Sequence, residues 1–172
     1  MAEVLPLSEA EVALLRSLVK SRVRFMVVGL SAAAMQGAPV VTQDVDLWFE
    51  DLSDPRLMVA LRSVGAAYVP PMSLNPPMLA GPGSQPFDIV LRMDGLGKFR
   101  EEYRRVKTIR VAGLNLGVLP LERILVSKMA ARRSKYLAVI PVLRDALLVA
   151  LKTSKAPAAR RRTTPTVRRP RR

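Results

Sequence analysis

Apolar residues along the chain form two kinds of pattern, short continuous runs and runs that recur at helical spacing. Ser8 and Glu11 have the spacing of a helix capping box, and the apolar positions after them keep a helical period to about Lys20. Asp54 and Pro55 have the order of an N-cap and a first helical residue. The predicted helices cover 9–20, 31–36 (ended by Gly37), 55–64, 98–104, 120–132 and 135–151 (interrupted or restarted at Pro141), and the predicted strands cover 24–29, 40–50, 87–93, 108–111 and 114–119.

A segment rich in proline and glycine, 70–86, separates the second and third predicted strands. These residues exclude regular structure there, so we expect a surface loop that borders the acidic strands and shapes a substrate entrance. Strands mixed with helices in this order predict an α/β (α+β) domain, with a mixed sheet flanked by helices, over residues 1–151.

The composition narrows the chemistry that is open to this chain. At 172 residues and 49% hydrophobic content, the chain suits one compact domain with a real core. It has no cysteine and no histidine, which excludes disulfides, thiol nucleophiles, histidine bases and the usual zinc ligands. No apolar stretch approaches the roughly 20 residues of a membrane span, so we expect a cytoplasmic protein without a membrane partner.

The net charge of +14 is concentrated towards the C-terminal end. Residues 152–172 are rich in arginine, lack acids and offer no periodic apolar face, which predicts a disordered basic tail. One interpretation is an electrostatic arm for the phosphate backbone of a nucleic acid such as RNA, with affinity that falls with salt. The other is a solubilising extension without a specific partner.

Three acidic residues lie within apolar stretches of a chain that has few acids. Asp44 and Asp46 are two apart, so on a strand their side chains point to the same face. Adjacent strands are about 4.8 Å apart, so Asp88 would complete a three-carboxylate cluster if its strand pairs with the first. Such a cluster repels itself without a cation, and oxygen ligands suit Mg²⁺. Aspartate is also common in turns and caps, so the Asp-x-Asp pair alone is weak evidence of a metal site.

These acids belong to a longer pattern that resembles the minimal nucleotidyltransferase superfamily. In that superfamily a strand leads to a glycine-serine turn, a second strand bears a paired acid motif, and a later strand bears a third acid. The resemblance is strongest to proteins of the toxin–antitoxin and abortive-infection type, and it covers roughly 22–150. The matching segments are 25–33 with Gly29 and Ser31, 37–39, 42–47 with Asp44 and Asp46, 87–90 with Asp88, and 118–135 with Lys128.

The resemblance implies transfer of a nucleoside monophosphate from a nucleoside triphosphate to a hydroxyl group, with pyrophosphate leaving. Asp44 and Asp46 would hold one or two Mg²⁺ ions. Asp88 would ligate the second ion and help the acceptor to lose its proton.

The same resemblance implies a triphosphate site at Gly29 and Ser31, where backbone N–H groups and a hydroxyl meet the phosphates. Lys128 or Lys135 would supply countercharge. The simpler alternatives are that Gly29 serves a tight turn, that Ser31 is an N-cap, and that both lysines are solvated helix residues.

The chain departs from the family pattern at three places: Leu30 follows Gly29, Val40 and Val41 stand where an arginine is usual, and Tyr136 replaces an aspartate after Lys135. Two functions therefore stay open. The first is an active enzyme that modifies RNA, transfer RNA included, or a protein, as part of a toxin–antitoxin pair. The second is a catalytically degenerate protein that binds nucleotide, nucleic acid or a partner without transfer. A plain nucleic-acid-binding module is disfavoured, because an aromatic content of 5% leaves few stacking platforms.

Overall fold

A computed structural model describes residues 7–155 of the chain. Within this range the chain forms a seven-stranded mixed sheet with helices packed against it, which confirms the predicted fold class. No helix of this range is long and apolar enough to cross a membrane. The elements are α1 (Glu9–Lys20), β1 (Phe25–Val28), α2 (Gly29–Met35), β2 (Val45–Phe49), α3 (Pro55–Arg62), β3 (Ala67–Val69), β4 (Met78–Ala80), β5 (Phe87–Val90), α4 (Phe99–Tyr103), β6 (Lys107–Val111), β7 (Leu114–Val118), α5 (Leu121–Ala131), a 3₁₀ turn (Ser134–Tyr136) and α6 (Val139–Lys155).

The predicted helix caps are confirmed. The backbone N–H of Glu11 donates to Ser8 Oγ at 3.3 Å, and the N–H of Ser8 donates to the Glu11 carboxylate at 2.8 Å. At the start of α3, the N–H of Arg56 donates to Asp54 Oδ1 at 2.9 Å, with Pro55 in the first turn. Each cap satisfies N–H groups that have no partner within the helix, so these short polar patterns fix where α1 and α3 begin.

The sheet has the strand order β3-β4-β5-β2-β1-β7-β6. The central strands β2 and β1 are antiparallel, whereas β2 is parallel to β5 and β1 is parallel to β7. All four residues of β1 are buried, which explains why this strand is a continuous apolar run without alternation. This arrangement places the beginning of β2 between the end of β1 and the beginning of β5.

Gln36 joins the end of α2 to the beginning of α5. Its side-chain amide donates to the carbonyl oxygens of Ala32 and Leu119, both at 2.9 Å, and accepts from the N–H of Leu121 at 3.1 Å. Pro120, the N-cap residue of α5, makes no side-chain capping hydrogen bond. The amide oxygen of Gln36 accepts the N–H of Leu121 instead. These hydrogen bonds fix the position of α2 relative to α5.

The second strand is shorter than predicted. It begins at Val45 instead of residue 40, so the prediction that Asp44 lies within the ladder is wrong. The hydroxyl of Thr42 accepts from the N–H of Asp44 at 3.3 Å and donates to its carbonyl at 3.0 Å. These local bonds compete with strand pairing. Asp44 therefore lies in the connecting segment immediately before β2.

The prediction that 70–86 lacks regular structure is also wrong. Strand β4 forms within it, at three residues that contain no proline, and pairs with β3, which the sequence pattern did not predict. Gly81 follows with φ +102 and ends the strand. Strands of three residues are too short to show a period of two, so the sequence pattern did not reveal β3 or β4.

Other boundaries also differ from the prediction. Helix α2 begins at Gly29 instead of residue 31, so Ser31 is a helical residue and not an N-cap, and α3 ends at Arg62 instead of residue 64. Strand β5 ends at Val90 instead of Met93.

The predicted helix 135–151 is divided: Ser134–Tyr136 forms a 3₁₀ turn and α6 starts anew at Val139, so the predicted restart near Pro141 is confirmed. Pro141 lies in the first turn of α6, where a missing N–H costs no hydrogen bond. Helix α6 continues to Lys155, past the predicted domain end at 151, and the rest of the predicted tail lies outside the described residues.

Candidate functional site

Asp46 and Asp88 lie side by side on neighbouring strands. The register of the parallel strands β2 and β5 places Asp46 opposite Asp88, and the antiparallel register with β1 places Asp46 opposite Val28. Asp88 is exposed, and so is Asp44, which precedes β2. The sheet therefore brings two of the three predicted acids together by register and leaves the third on the adjoining segment.

Burial governs the electrostatics of Asp46. Loss of water around its carboxylate raises the pKa of Asp46 above its ordinary value, and the negative charges of Asp88 and Asp44 raise it further. The ammonium groups of Lys128 and Lys135 act in the opposite direction and lower the pKa. The charges of two acids and two lysines therefore act on Asp46 in opposite directions.

Gly29 makes room for the carboxylate of Asp46. Gly29 begins α2 with φ +67, a conformation that side chains rarely adopt. A Cβ atom at this position would overlap Asp46 Oδ2 and lie 2.8 Å from Asp46 Cγ. The tight turn after β1 and the close approach of the carboxylate both require glycine here.

Ser31 stabilises the turn at Gly29 through two hydrogen bonds. Its side chain is fully buried, and its hydroxyl donates to the Val28 carbonyl at 3.0 Å and accepts from the Asp46 N–H at 3.3 Å. Ser31 thus connects the first turn of α2 to β1 and β2. The predicted contact of this hydroxyl with a phosphate stays a prediction.

A cleft of about 270 Å³ opens beside these residues. It brings together four residues that the sequence singled out, namely Gly29, Asp46, Lys128 and Lys135. Asp44, Asp88 and Ser31 are not in its lining.

The cleft also contains residues to which the sequence reasoning gave no role. Arg92 comes from the segment after β5, and Arg133 from the segment after α5. The Arg132-Arg133 pair was within the matching segments, whereas nothing in the local pattern marked Arg92. The cleft lining thus has four basic side chains, these two arginines and the two lysines, against two acids, Asp46 and Asp94, and this excess of positive charge suits an anionic ligand.

Tyr136 provides a ring surface for both lysines. The Nζ of Lys128 lies 4.1 Å from the centroid of the Tyr136 ring, and the Nζ of Lys135 lies 5.4 Å from it. Both distances are within the range of cation–π attraction.

The acids fit Mg²⁺ in their chemistry. Carboxylate oxygens are the ligands this ion takes, and a cation would relieve the repulsion that raises the pKa of Asp46. The exposure of Asp44 and Asp88 leaves both accessible to a hydrated ion. Among residues 7–155, no three acidic side chains are arranged as a metal site, so the predicted three-carboxylate cluster is not formed there.

Comparisons with known proteins support the fold. No protein-family model matches the chain, and no curated protein matches it. The chain is similar to the crystal structure of ANT(2")-Ia in complex with adenylyl-2"-tobramycin, with 11% identity, 84% of this chain and 95% of that chain covered, and a TM-score of 0.51. It is also similar to the solution structure of the antibiotic-resistance factor ANT(2'')-Ia, with 11% identity, 83% and 89% covered, and a TM-score of 0.53. The chain therefore has the nucleotidyltransferase fold that the resemblance implied.

Proposed function

We propose that this protein is a Mg²⁺-dependent nucleotidyltransferase. It transfers a nucleoside monophosphate from a nucleoside triphosphate to a hydroxyl group, and pyrophosphate leaves. The observation that carries the proposal is the position of Asp46, which lies beside Gly29, in register with Asp88, in a cleft that also contains Lys128.

Each group has a role that follows from its charge. Lys128 and Lys135 bind the triphosphate, since their ammonium groups face the same cleft as Asp46. The three acids do not form a ready-made metal site within the part of the chain that the structure describes. Asp46 and Asp88, which lie opposite each other in register, and the exposed Asp44 would therefore hold one or two Mg²⁺ ions together with water and the phosphates of the nucleotide. The ions would neutralise charge that develops on the α-phosphoryl group.

The transfer is a substitution at phosphorus. The acceptor oxygen bonds to the α-phosphorus, the bond from that phosphorus to the bridging oxygen breaks, and pyrophosphate departs. The proton of the acceptor hydroxyl passes to Asp88, which is exposed at the edge of the site.

We propose RNA, transfer RNA included, as the acceptor, with a protein hydroxyl as the alternative. The net charge of +14 supports a polyanionic acceptor. The similar structure of ANT(2")-Ia contains adenylyl-2"-tobramycin. Tobramycin is rich in amines, which are protonated at neutral pH, so a strongly basic protein is poorly suited to attract such an acceptor.

A toxin–antitoxin role, in the cytoplasm and with a cognate antitoxin as partner, belongs to the same proposal. Its support is the sequence resemblance to nucleotidyltransferases of that type. A neighbouring gene for an antitoxin-like regulator, whose product suppresses a growth defect caused by this protein, is the expected finding. Growth that is unaffected by the protein would contradict the role.

The second candidate function is binding without transfer. Two observations favour it. No three acids of 7–155 are arranged as a metal site, and a bulky residue, Leu30, directly follows Gly29 at the turn where phosphates would approach. Such a protein would bind nucleotide, nucleic acid or a partner through the same cleft.

Label transfer separates the two functions. Each α-labelled nucleoside triphosphate is incubated with Mg²⁺ and either total RNA or lysate protein, using wild type and the Asp44→Ala plus Asp46→Ala variant. Asp145→Ala is the control, because Asp145 is an exposed acid on α6 that does not line the cleft. Label that needs the two acids and survives in the control supports transfer and identifies the acceptor class. No label from folded wild type, with every nucleotide and acceptor, contradicts it.

A further inference from the structure

We propose that Tyr136 is a positioning residue, whose ring holds the ammonium groups of Lys128 and Lys135 in the cleft that contains Asp46. That the ligand of these ammonium groups is a polyphosphate rests on the proposed function. The positioning itself rests on the geometry of the three side chains.

The backbone brings the ring back onto the helix that carries Lys128. Helix α5 ends at Ala131, and its C-cap residue, Arg132, has the left-handed conformation with φ 48. The chain then turns, and the 3₁₀ turn that contains Lys135 and Tyr136 follows directly. Tyr136 thereby lies half-buried against Lys128, although the two residues belong to different elements.

The ring holds the two lysines without neutralising them. Among the residues that the structure describes, neither Lys128 nor Lys135 lies within ion-pair distance of a carboxylate. The negative face of an aromatic ring attracts a cation but carries no net charge. A carboxylate at position 136 would cancel one of the two positive charges. Tyrosine orders both side chains and leaves two full charges available to an anionic ligand.

A second role for the ring, as a platform for the nucleobase, is disfavoured by the same contact. The Nζ of Lys128 lies 4.1 Å from the ring centroid, so the face that it covers is not available to a base.

The positioning can be measured without any ligand. Protons above an aromatic ring are shifted upfield in NMR spectra, so the Hε protons of Lys128 in wild type should resonate upfield of those of Tyr136→Leu. Tyr136→Phe keeps the ring and should keep the shift. Equal Lys128 Hε shifts in wild type and Tyr136→Leu would overturn the proposal.

The consequence for binding is measured by calorimetry with inorganic tripolyphosphate, a probe that has no base. Tyr136→Leu should weaken its binding about 2- to 30-fold, as expected for loss of a cation–π contact. Tyr136→Phe should stay within about twofold of wild type, and Tyr136→Leu should have no further effect in a Lys128→Met background.

The remaining outcomes separate this proposal from the proposed function. Weakened ATP binding with unchanged tripolyphosphate binding would make Tyr136 a base platform and overturn the proposal. Equal losses in Tyr136→Phe and Tyr136→Leu would assign the effect to the hydroxyl and overturn it as well. A wild type that binds no tripolyphosphate while the ring-current shift is present would contradict the proposed function and leave the positioning supported by the NMR result.

Discussion

The carboxylate of Asp46 occupies the space that a side chain at position 29 would fill. Gly29 begins helix α2, and Asp46 lies on the next element of the chain, strand β2. The buried hydroxyl of Ser31 connects the two segments, because it donates to the Val28 carbonyl and accepts from the Asp46 N–H. The glycine turn and the acid motif are therefore one structural unit, and a change at either residue acts on the other.

Gly29→Ala tests this relation. We expect a loss of more than about 1 to 2 kcal/mol in the free energy of unfolding, because alanine takes the left-handed conformation at that cost and its Cβ atom would in addition overlap the Asp46 carboxylate. We also expect label transfer to fall about 100-fold, because the methyl group displaces the Asp46 carboxylate. Urea unfolding and the label-transfer assay give the two values.

Gly113→Ala is the matched control for that variant. Gly113 also has a positive φ, +79, but an added Cβ would have no atom within 4 Å. The control should lose only the cost of the left-handed conformation, about 1 to 2 kcal/mol and less than Gly29→Ala, and keep its activity. Equal activities in the Gly29 and Gly113 variants would show that the contact with Asp46 has no functional weight.

The pKa of Asp46 makes the stability of the fold depend on pH. Its pKa is raised in the folded protein, chiefly by burial, so folding favours the protonated form. The stability gained is complete below the ordinary value of 3.8 and is lost as the pH rises through the folded pKa. Asp46→Asn removes this loss, so the variant should be more stable than wild type at neutral pH.

Urea unfolding of wild type and Asp46→Asn between pH 3 and pH 8 measures the difference. The gap between the two unfolding free energies should widen from acid towards neutral pH. Asp145→Asn, an exposed position on α6, serves as the control. A gap that stays constant with pH would show that Asp46 is not destabilised by its burial.

Magnesium should stabilise the wild type more than a protein without the paired acids. A ligand that binds only the folded state at ten times its Kd adds about 1.4 kcal/mol to the free energy of unfolding. We therefore expect the Tm of wild type to rise with Mg²⁺ and that of Asp44→Ala plus Asp46→Ala to stay unchanged. Thermal unfolding over a Mg²⁺ titration, at constant ionic strength, provides the measurement. Identical responses of both proteins would favour the degenerate-site alternative.

The ion pair between Glu102 and Arg123 connects α4 to α5, the helix that carries Lys128. Arg123 Nε and an Nη donate to the two carboxylate oxygens at 2.8 and 2.6 Å, and the Glu102 side chain is only 2% exposed. Arg123→Ala should cost about 3 kcal/mol, because it leaves a buried carboxylate without its partner. Arg123→Lys should cost less, and the exposed Arg104→Ala should change stability little.

The same pair predicts a loss of stability in acid. The bond with Arg123 lowers the pKa of Glu102 below its ordinary value of 4.5. Its stabilisation is present above that value and is lost as the pH falls through the folded pKa. Below pH 5, the free energy of unfolding should fall less steeply with decreasing pH for Glu102→Gln than for wild type. Parallel curves would show that the ion pair does not contribute.

Local signals in the sequence predicted the parts of the fold that local physics determines. The Ser8 and Asp54 caps and the apolar run of β1 depend on residues within one turn or one strand, so each was found. The pairing of β3 with β4 was missed although the two strands are consecutive, because strands of three residues carry no period that reveals them and the prolines around β4 favour a loop.

The candidate site likewise contains some residues that the sequence predicted and others that it did not. The resemblance singled out Gly29 and Asp46 because their spacing belongs to a recognisable motif, and the sheet register then placed Asp46 opposite Asp88. The place of Asp44 before β2 depends on the Thr42 hydroxyl, and the role of the Tyr136 ring depends on the turn after α5. The contact between Lys128 and Tyr136 needs the folded chain, because no spacing rule links these two residues.

The central claim, that the Asp46 site transfers a nucleoside monophosphate, is tested most directly by a paired-label experiment. The same nucleoside triphosphate is supplied with Mg²⁺ once with an α-label and once with a γ-label, with RNA as acceptor. We predict that wild type attaches the α-label to RNA and releases the γ-label as pyrophosphate, and that Asp46→Asn does neither. Attachment of the γ-label, or α-label transfer that persists in Asp46→Asn, would contradict the account.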